Sequence, residues 1–234
     1  MGQYNKIQTI FLRDDTNAII PTEITTAELK ATKNLLFEGT EKIDGTNMRV
    51  EIDWRGYDDW TIQIKGKTDN ANIPKPLEKR MHEIFDNLKV NEVFDYSEPI
   101  KITIYGEGYG AGIQKGGGRY ISKGVDFILF DVRIGDWWLL RNNLEDIAEK
   151  IGVEIVPIIG YFTIKDACKF VKNGFKSTIS EDKDLIAEGL VLKAPCGIRA
   201  RNGERIMTKI KYKDFQDFMR KHPETDLDEL IEQI

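Results

Sequence analysis

Glu41-Lys42-Ile43-Asp44-Gly45-Thr46-Asn47 is the stretch on which the reading of this chain turns. Immediately after it, residues 47–52 (NMRVEI) and 60–65 (WTIQIK) alternate apolar with polar positions and predict two strands joined by the turn-rich RGYDD. A lysine followed by an acid and a glycine is by itself common in surface loops. Four further pieces give it weight, and they occur in order: Tyr105-Gly106-Glu107-Gly108, Asp126-Phe127-Ile128-Leu129-Phe130-Asp131, Glu188-Gly189-Leu190-Val191-Leu192-Lys193, and Lys209-Ile210-Lys211.

Outward from these pieces the chain reads as strands mixed with helices. Residues 25–36 follow a Thr cap as a short helix, and Pro74 and Pro76 open a helix through PLEKRMHEIFDNL with Leu77, Met81, Ile84, Phe85 and Leu88 at helical spacing. IKITIYGE, DFILFDVRI, EIVPIIGYF, GLVLKAP and ERIMTKIKY are apolar enough for strands, and residues 143–151, 164–173, 213–221 and 226–234 read as helices. Strands and helices do not alternate strictly, which favours an α+β fold of antiparallel sheets flanked by helices over a doubly wound parallel sheet. No repeat, linker or low-complexity segment interrupts the 234 residues, so a single domain over 1–234 is expected.

Composition excludes several classes. With 41% hydrophobic residues, 11 Phe, 8 Tyr and 4 Trp, the chain must bury a core. No apolar run approaches the roughly 18 residues of a membrane span, and no secretion signal is legible. Two cysteines and two histidines argue against a disulfide framework or a zinc cage, and a reducing cytoplasm is expected. The net charge of −5 conceals an uneven distribution. Between Lys193 and Lys213 the bases also include Arg199, Arg201, Arg205, Lys209 and Lys211, opposed by Glu204 alone, whereas the segment after His222 carries five acids and no base. The basic stretch either faces an anion or is a solvated strand face.

A dinucleotide fold fails at its first requirement. Gly106, Gly108 and Ala111 fit G-x-G-x-x-A after a strand, but the following GIQKGGGRY cannot make the required helix, and Glu107 would repel a pyrophosphate. No P-loop is present.

In register, the five pieces resemble the covalent nucleotidyltransferase superfamily of ATP-dependent ligases and mRNA-capping enzymes, over about residues 37–215. Within it, Gly45-Thr46-Asn47 and the Tyr109-Gly110 to Gly116 continuation are similar to RNA ligases of the RNA ligase 2 type; DNA ligases usually carry arginine where Asn47 stands. The resemblance implies a ligase adenylation fold and three steps. Lys42 takes AMP from ATP, AMP passes to a 5′-phosphate of an RNA end, and a 3′-hydroxyl displaces it. It further implies that Lys193, Lys209 and Lys211 act with Lys42 on the phosphates, and that Glu188 holds Mg²⁺ or Mn²⁺. By the same resemblance Glu41, Ile43, Asn47, Lys67, Glu107 and Phe127 bind the nucleotide, with Glu107 near the ribose and Phe127 stacked on adenine. Lys67 stands where many members carry arginine, and a lysine cannot make the bidentate fork. An amine attacks only when unprotonated, and neighbouring cations favour that form.

Ligases of this superfamily usually append an oligonucleotide-binding or helical domain. Only 41 residues precede Lys42 and 23 follow Lys211, so no such domain is expected, and a helper protein is a candidate partner beside ATP and broken or nicked RNA. A small DNA ligase, a capping-type enzyme and a non-catalytic nucleic-acid-binding relative are the competing readings.

Overall fold

The computed structural model describes residues 2–56, 59–86, 88, 90–94 and 98–234, apart from the side chain of Cys196. In chain order the elements are β1 (Phe11–Arg13), β2 (Ile19–Ile24), α1 (Ala27–Thr32), β3 (Phe37–Lys42), β4 (Thr46–Gly56), β5 (Asp59–Gly66), α2 (Lys75–Phe85), α3 (Val90–Val93), β6 (Ile100–Gly110), β7 (Val125–Ile134), β8 (Trp137–Trp138), α4 (Arg141–Ile151), β9 (Glu154–Ile155), β10 (Ile158–Phe162), α5 (Ile164–Asn173), β11 (Gly189–Lys193), β12 (Met207–Lys211), α6 (Tyr212–Lys221) and α7 (Leu227–Glu232). They fall into two compact units, one of residues 6–43, 157–179 and 183–234, the other of residues 1–5, 44–156 and 180–182.

In the first unit β10-β3-β11-β12 form an antiparallel sheet, and β1-β2 a separate ribbon. Successive side chains of a strand point to opposite faces. Phe37, Leu190, Leu192 and Ile210 take one face and join Ile164, Cys168 and Val171 of α5 and Phe215 of α6 in a core. Burial raises the pKa of the Cys168 thiol, which makes it inert packing. The outer edge of β12 is covered by the N-terminal segment: Ile10 N–H donates to Lys209 O and Lys209 N–H to Gln8 O, both at 3.1 Å.

The second unit is built on the antiparallel sheet β5-β4-β6-β7-β8, with β9 running parallel beside β7. Met48, Val50 and Ile52 of β4, Ile102 and Ile104 of β6 and Leu129 of β7 pack beneath Leu77, Met81 and Phe85 of α2 and Leu144 and Ile147 of α4.

The expected α+β organisation is present; β1, β2 and α3 were not expected, and three further differences have a local cause. The helix expected over 25–36 is capped by Thr26, whose side chain accepts from Leu29 N–H, but it ends at Thr32. The strand expected over EIVPIIGYF is two strands: Pro157 lacks a backbone donor, and β9 joins one sheet while β10 joins the other. Strand β3 was not expected, because FEGTEK holds one strongly apolar residue and two glycine or threonine positions where an alternating pattern would need more. The expected 55–59 turn includes Tyr57 and Asp58, and the expected end of the second helix includes Asn87; these three residues lie outside the described residues.

Phe37 is 0% exposed at the start of β3, whereas the adjacent Leu36 is 58% exposed. Phe37→Ala is therefore expected to lower unfolding free energy in urea by about 3–5 kcal/mol, and Leu36→Ala to change it by less than about 0.5 kcal/mol.

Candidate functional site

Register decides which side chains of the first unit meet. Lys42, Gly189 and Lys211 lie in one cross-strand row, Thr40, Val191 and Lys209 in the next, and Glu38, Lys193 and Met207 in the third. Directly opposed residues of an antiparallel pair share a face. Lys42, Lys193, Lys209 and Lys211 therefore stand together on the face turned away from the Phe37–Leu190–Ile210 core. Sequence reasoning grouped these four lysines but missed Glu38, which the register sets opposite Lys193.

Glu188 precedes β11 and sits at the head of the first row. Its Oε2 is ion-paired with Lys42 Nζ, and its Oε1 accepts from Lys211 Nζ at 2.7 Å. The carboxylate is only 16% exposed, and Lys42 20%. Backbone geometry fixes it there. Tyr212 N–H donates to Glu188 O at 2.9 Å, and Gly189 has φ +150 with Ile210 O only 1.9 Å from where a Cβ would be. A glycine is the residue that lets the chain turn from the acid into the strand at that distance.

Glu41 and Ile43 flank Lys42 in sequence, but neither side chain accompanies it. Glu41 is 1% exposed on the opposite face of β3, where its Oε2 accepts from Thr178 N–H at 2.9 Å and from Thr178 Oγ1 at 2.8 Å. Ile43 is buried. The side chain of Glu41, one of the residues expected to bind the nucleotide, thus lies away from the lysine face: strand alternation turns it inward, and it ties Thr178 to β3.

In the second unit, Asn47 of β4 and Glu107 of β6 are directly opposed, with Ile128 of β7 next in the row. Asn47 Oδ1 is buried without a hydrogen-bond partner among the described residues, an acceptor suited to a ligand hydroxyl. The turn leading into β4 is held by Tyr120 Oη, which accepts from Asp44 N–H at 3.3 Å, and by Gln114 Nε2, which donates to Gly45 O at 2.9 Å. A Cβ on Gly45 would stand 2.3 Å from Gly108 O and 2.7 Å from Glu107 Cγ. The glycine of the lysine motif thus lets this turn lie directly on the Glu107 strand.

Lys67 is exposed just beyond β5, and its carbonyl accepts from Arg49 Nη1 at 3.0 Å. Arg49, 1% exposed, also donates to Gly66 O at 2.7 Å and pairs with Glu51 and Asp69. Sequence reasoning missed this buried clamp; the one local signal was its place on the polar face of an alternating strand. Burial opposes ionisation of Glu51, yet hydrogen bonds from Lys65 and Arg49 hold its carboxyl below the usual range. Burial pushes the phenol of Tyr109 up to about 12, which keeps it neutral.

Phe127 likewise turns inward. It is 1% exposed and meets Phe85 of α2 edge to face at 5.6 Å. Opposite Gly108 in register, it points to the helix-covered core, one position out of phase with Glu107. Ile128 shares the Glu107 face, so adenine stacking does not fall to Phe127.

The donor set suits a nucleoside triphosphate with a divalent cation. Four lysines on one face offer charge for phosphates. No cluster of three His, Cys, Asp or Glu exists among the described residues. Glu188 as a single carboxylate suits a cation such as Mg²⁺, which is commonly shared between one or two carboxylates and substrate phosphates.

This sheet, with its glycine-hinged acid and its row of lysines, has the fold of a nucleotidyltransferase. The profile of the RNA ligase family matches residues 36–212, and the chain belongs to that family. Among solved structures it is similar to the Naegleria gruberi RNA ligase, as an apo mutant (18% identity, TM-score 0.56) and with PPi (20%, 0.55). A further similar structure is a mutant of that ligase with ATP and Mn (18%, 0.56). Each match covers 96% of this chain, which spans about 60% of the length of the matched chains. No curated protein sequence matches significantly.

Two outcomes are expected. Gly45→Ala should cost at least about 1–3 kcal/mol in urea unfolding, because the nearest atom the added methyl meets is the backbone oxygen of Gly108, which cannot swing aside as a side chain can. Phe127→Ala should cost about 3–5 kcal/mol, whereas Phe127→Leu should leave the KM for ATP within twofold; a selective rise in that KM would restore the stacking role.

Proposed function

We propose that the chain is an ATP-dependent RNA ligase working through a covalent Lys42–AMP intermediate. The observation that carries this reading is the Glu188 carboxylate shared between Lys42 and Lys211 on a lysine-lined sheet face. Family membership supports it, as do the ATP, Mn and PPi held by the similar Naegleria gruberi structures.

Lys42 Nζ attacks after it has given up both its proton and its pairing with Glu188. Its lone pair forms a bond to the α-phosphorus of ATP, the bond to the β-phosphate bridging oxygen breaks, and pyrophosphate carries off the electron pair. Lys193, Lys209 and Lys211 neutralise the charge that gathers on the phosphoryl oxygens. Glu188, once parted from Lys42, is the group that would hold Mg²⁺ or Mn²⁺, which supplies further charge neutralisation. A 5′-phosphate oxygen of RNA then takes the adenylyl group with cleavage of the P–N bond, and a 3′-hydroxyl displaces AMP. For Glu107 and Asn47 we assign the ribose and the RNA end, respectively. Both stand in one row, and the unpartnered Asn47 Oδ1 is free to accept from a hydroxyl. Lys67 is assigned to the phosphates as a point charge.

Incubation with ATP labelled at the α-phosphate should leave label on the denatured protein. Lys42→Ala should abolish it, and Lys211→Ala should slow its appearance by about 10²–10³-fold, the usual cost of one transition-state charge donor. Label retained on Lys42→Ala, or none on the unaltered chain, would refute the mechanism. Nicked RNA should be sealed in preference to nicked DNA.

A further inference from the structure

The segment joining β11 to β12 is a hairpin arm that the lysine site does not use. Beyond the strands, Ala194 N–H donates to Ile206 O at 3.0 Å and Ala200 N–H to Glu204 O at 2.7 Å, and Gly203 N–H closes the tip onto Ala200 O at 2.9 Å. Arg199 and Arg205 are directly opposed in an antiparallel bridge, and Arg201 stands in the turn. Arg199 and Arg201 are exposed.

Two features set these arginines apart. Arg199 faces another arginine across the bridge, and like charges directly opposed across a strand pair weaken the pairing. In addition, each arginine outside the arm, from Arg13 to Arg220, lies within ion-pair distance of a carboxylate. The acid-rich end of the chain is likewise matched, Asp228 by Lys172 and Glu232 by Lys165 and Lys169. Arg199 and Arg201 have no ion-pair partner among the described residues.

We propose that this arm binds the phosphodiester backbone of RNA at a distance from the end being joined. The proposal rests on the RNA ligase reading above and names a substrate contact that the lysine chemistry does not require. Arg205 lies in the arm just before β12, six residues before Lys211, a span of at most roughly 20 Å at strand spacing. A stacked nucleic-acid strand advances about 3.4 Å per nucleotide, so the arm reaches phosphates up to about six nucleotides from the Lys42 row. Exposed guanidinium forks suit phosphate oxygens, which they bind bidentately.

The test compares the full chain with R199A/R201A and with R199E/R201E. Binding of a 24-base-pair nicked RNA duplex is followed by fluorescence anisotropy between 50 and 300 mM KCl, and self-adenylylation is measured in parallel. Both variants should form the AMP adduct at the rate of the unaltered chain within twofold and melt at the same temperature, because the tip is exposed. In R199A/R201A the slope of log Kobs against log salt should fall by about 1.4–1.8, the loss of two phosphate contacts. R199E/R201E should bind at least tenfold more weakly at 50 mM. An unchanged slope with normal adduct formation overturns the arm's role and leaves the ligase reading intact. An unaltered chain that forms the adduct but binds no RNA duplex overturns it too. Loss of the adduct in the unaltered chain is the separate failure of the ligase reading.

Discussion

One carboxylate shared by two lysine amines organises this protein. Glu188 meets Lys42 through one oxygen and Lys211 through the other, and the three residues come from β3, the loop before β11 and β12. Four lysines on one sheet face repel one another, and a largely buried carboxylate between two of them offsets part of that repulsion.

Two glycines set the backbone for this chemistry. Gly189 adopts a φ of +150 against the Ile210 carbonyl, so the acid and the strand that follows it are joined without an intervening loop. Gly45 lies on Gly108 and Glu107, where no Cβ fits. In both cases a residue next to the chemistry is dictated by a close approach of backbone to backbone, and the reactive side chains inherit their positions from it. The Arg49 clamp plays a related part for Lys67, since its guanidinium holds the carbonyls of Gly66 and Lys67 from a fully buried position.

Much of this was legible in the residues. The alternation in NMRVEI and WTIQIK pointed to β4 and β5, and the order of the five short motifs singled out the lysines, Glu188, Asn47 and Glu107 as candidates. Strand β3 escaped because it is central in its sheet yet carries Glu38, Thr40 and Lys42 on one face, so its pattern is polar where most buried strands are apolar. Glu41 and Phe127 lie away from the expected faces for a common reason. A motif fixes sequence spacing, whereas a strand sends neighbours to opposite faces, and a shift of one residue exchanges a ligand position for a core position. Thr178, which binds Glu41 from 137 residues away, left no local mark at all.

The central claim is that the amine of Lys42, among several lysines on one face, is the one that acquires AMP. The most direct measurement is peptide mass spectrometry of the chain after brief incubation with ATP and Mg²⁺, under mildly alkaline conditions that preserve a phosphoramide. The account predicts a single AMP addition on the peptide containing Lys42 and none on those containing Lys193, Lys209 or Lys211. AMP on any of these three in place of Lys42 would contradict it.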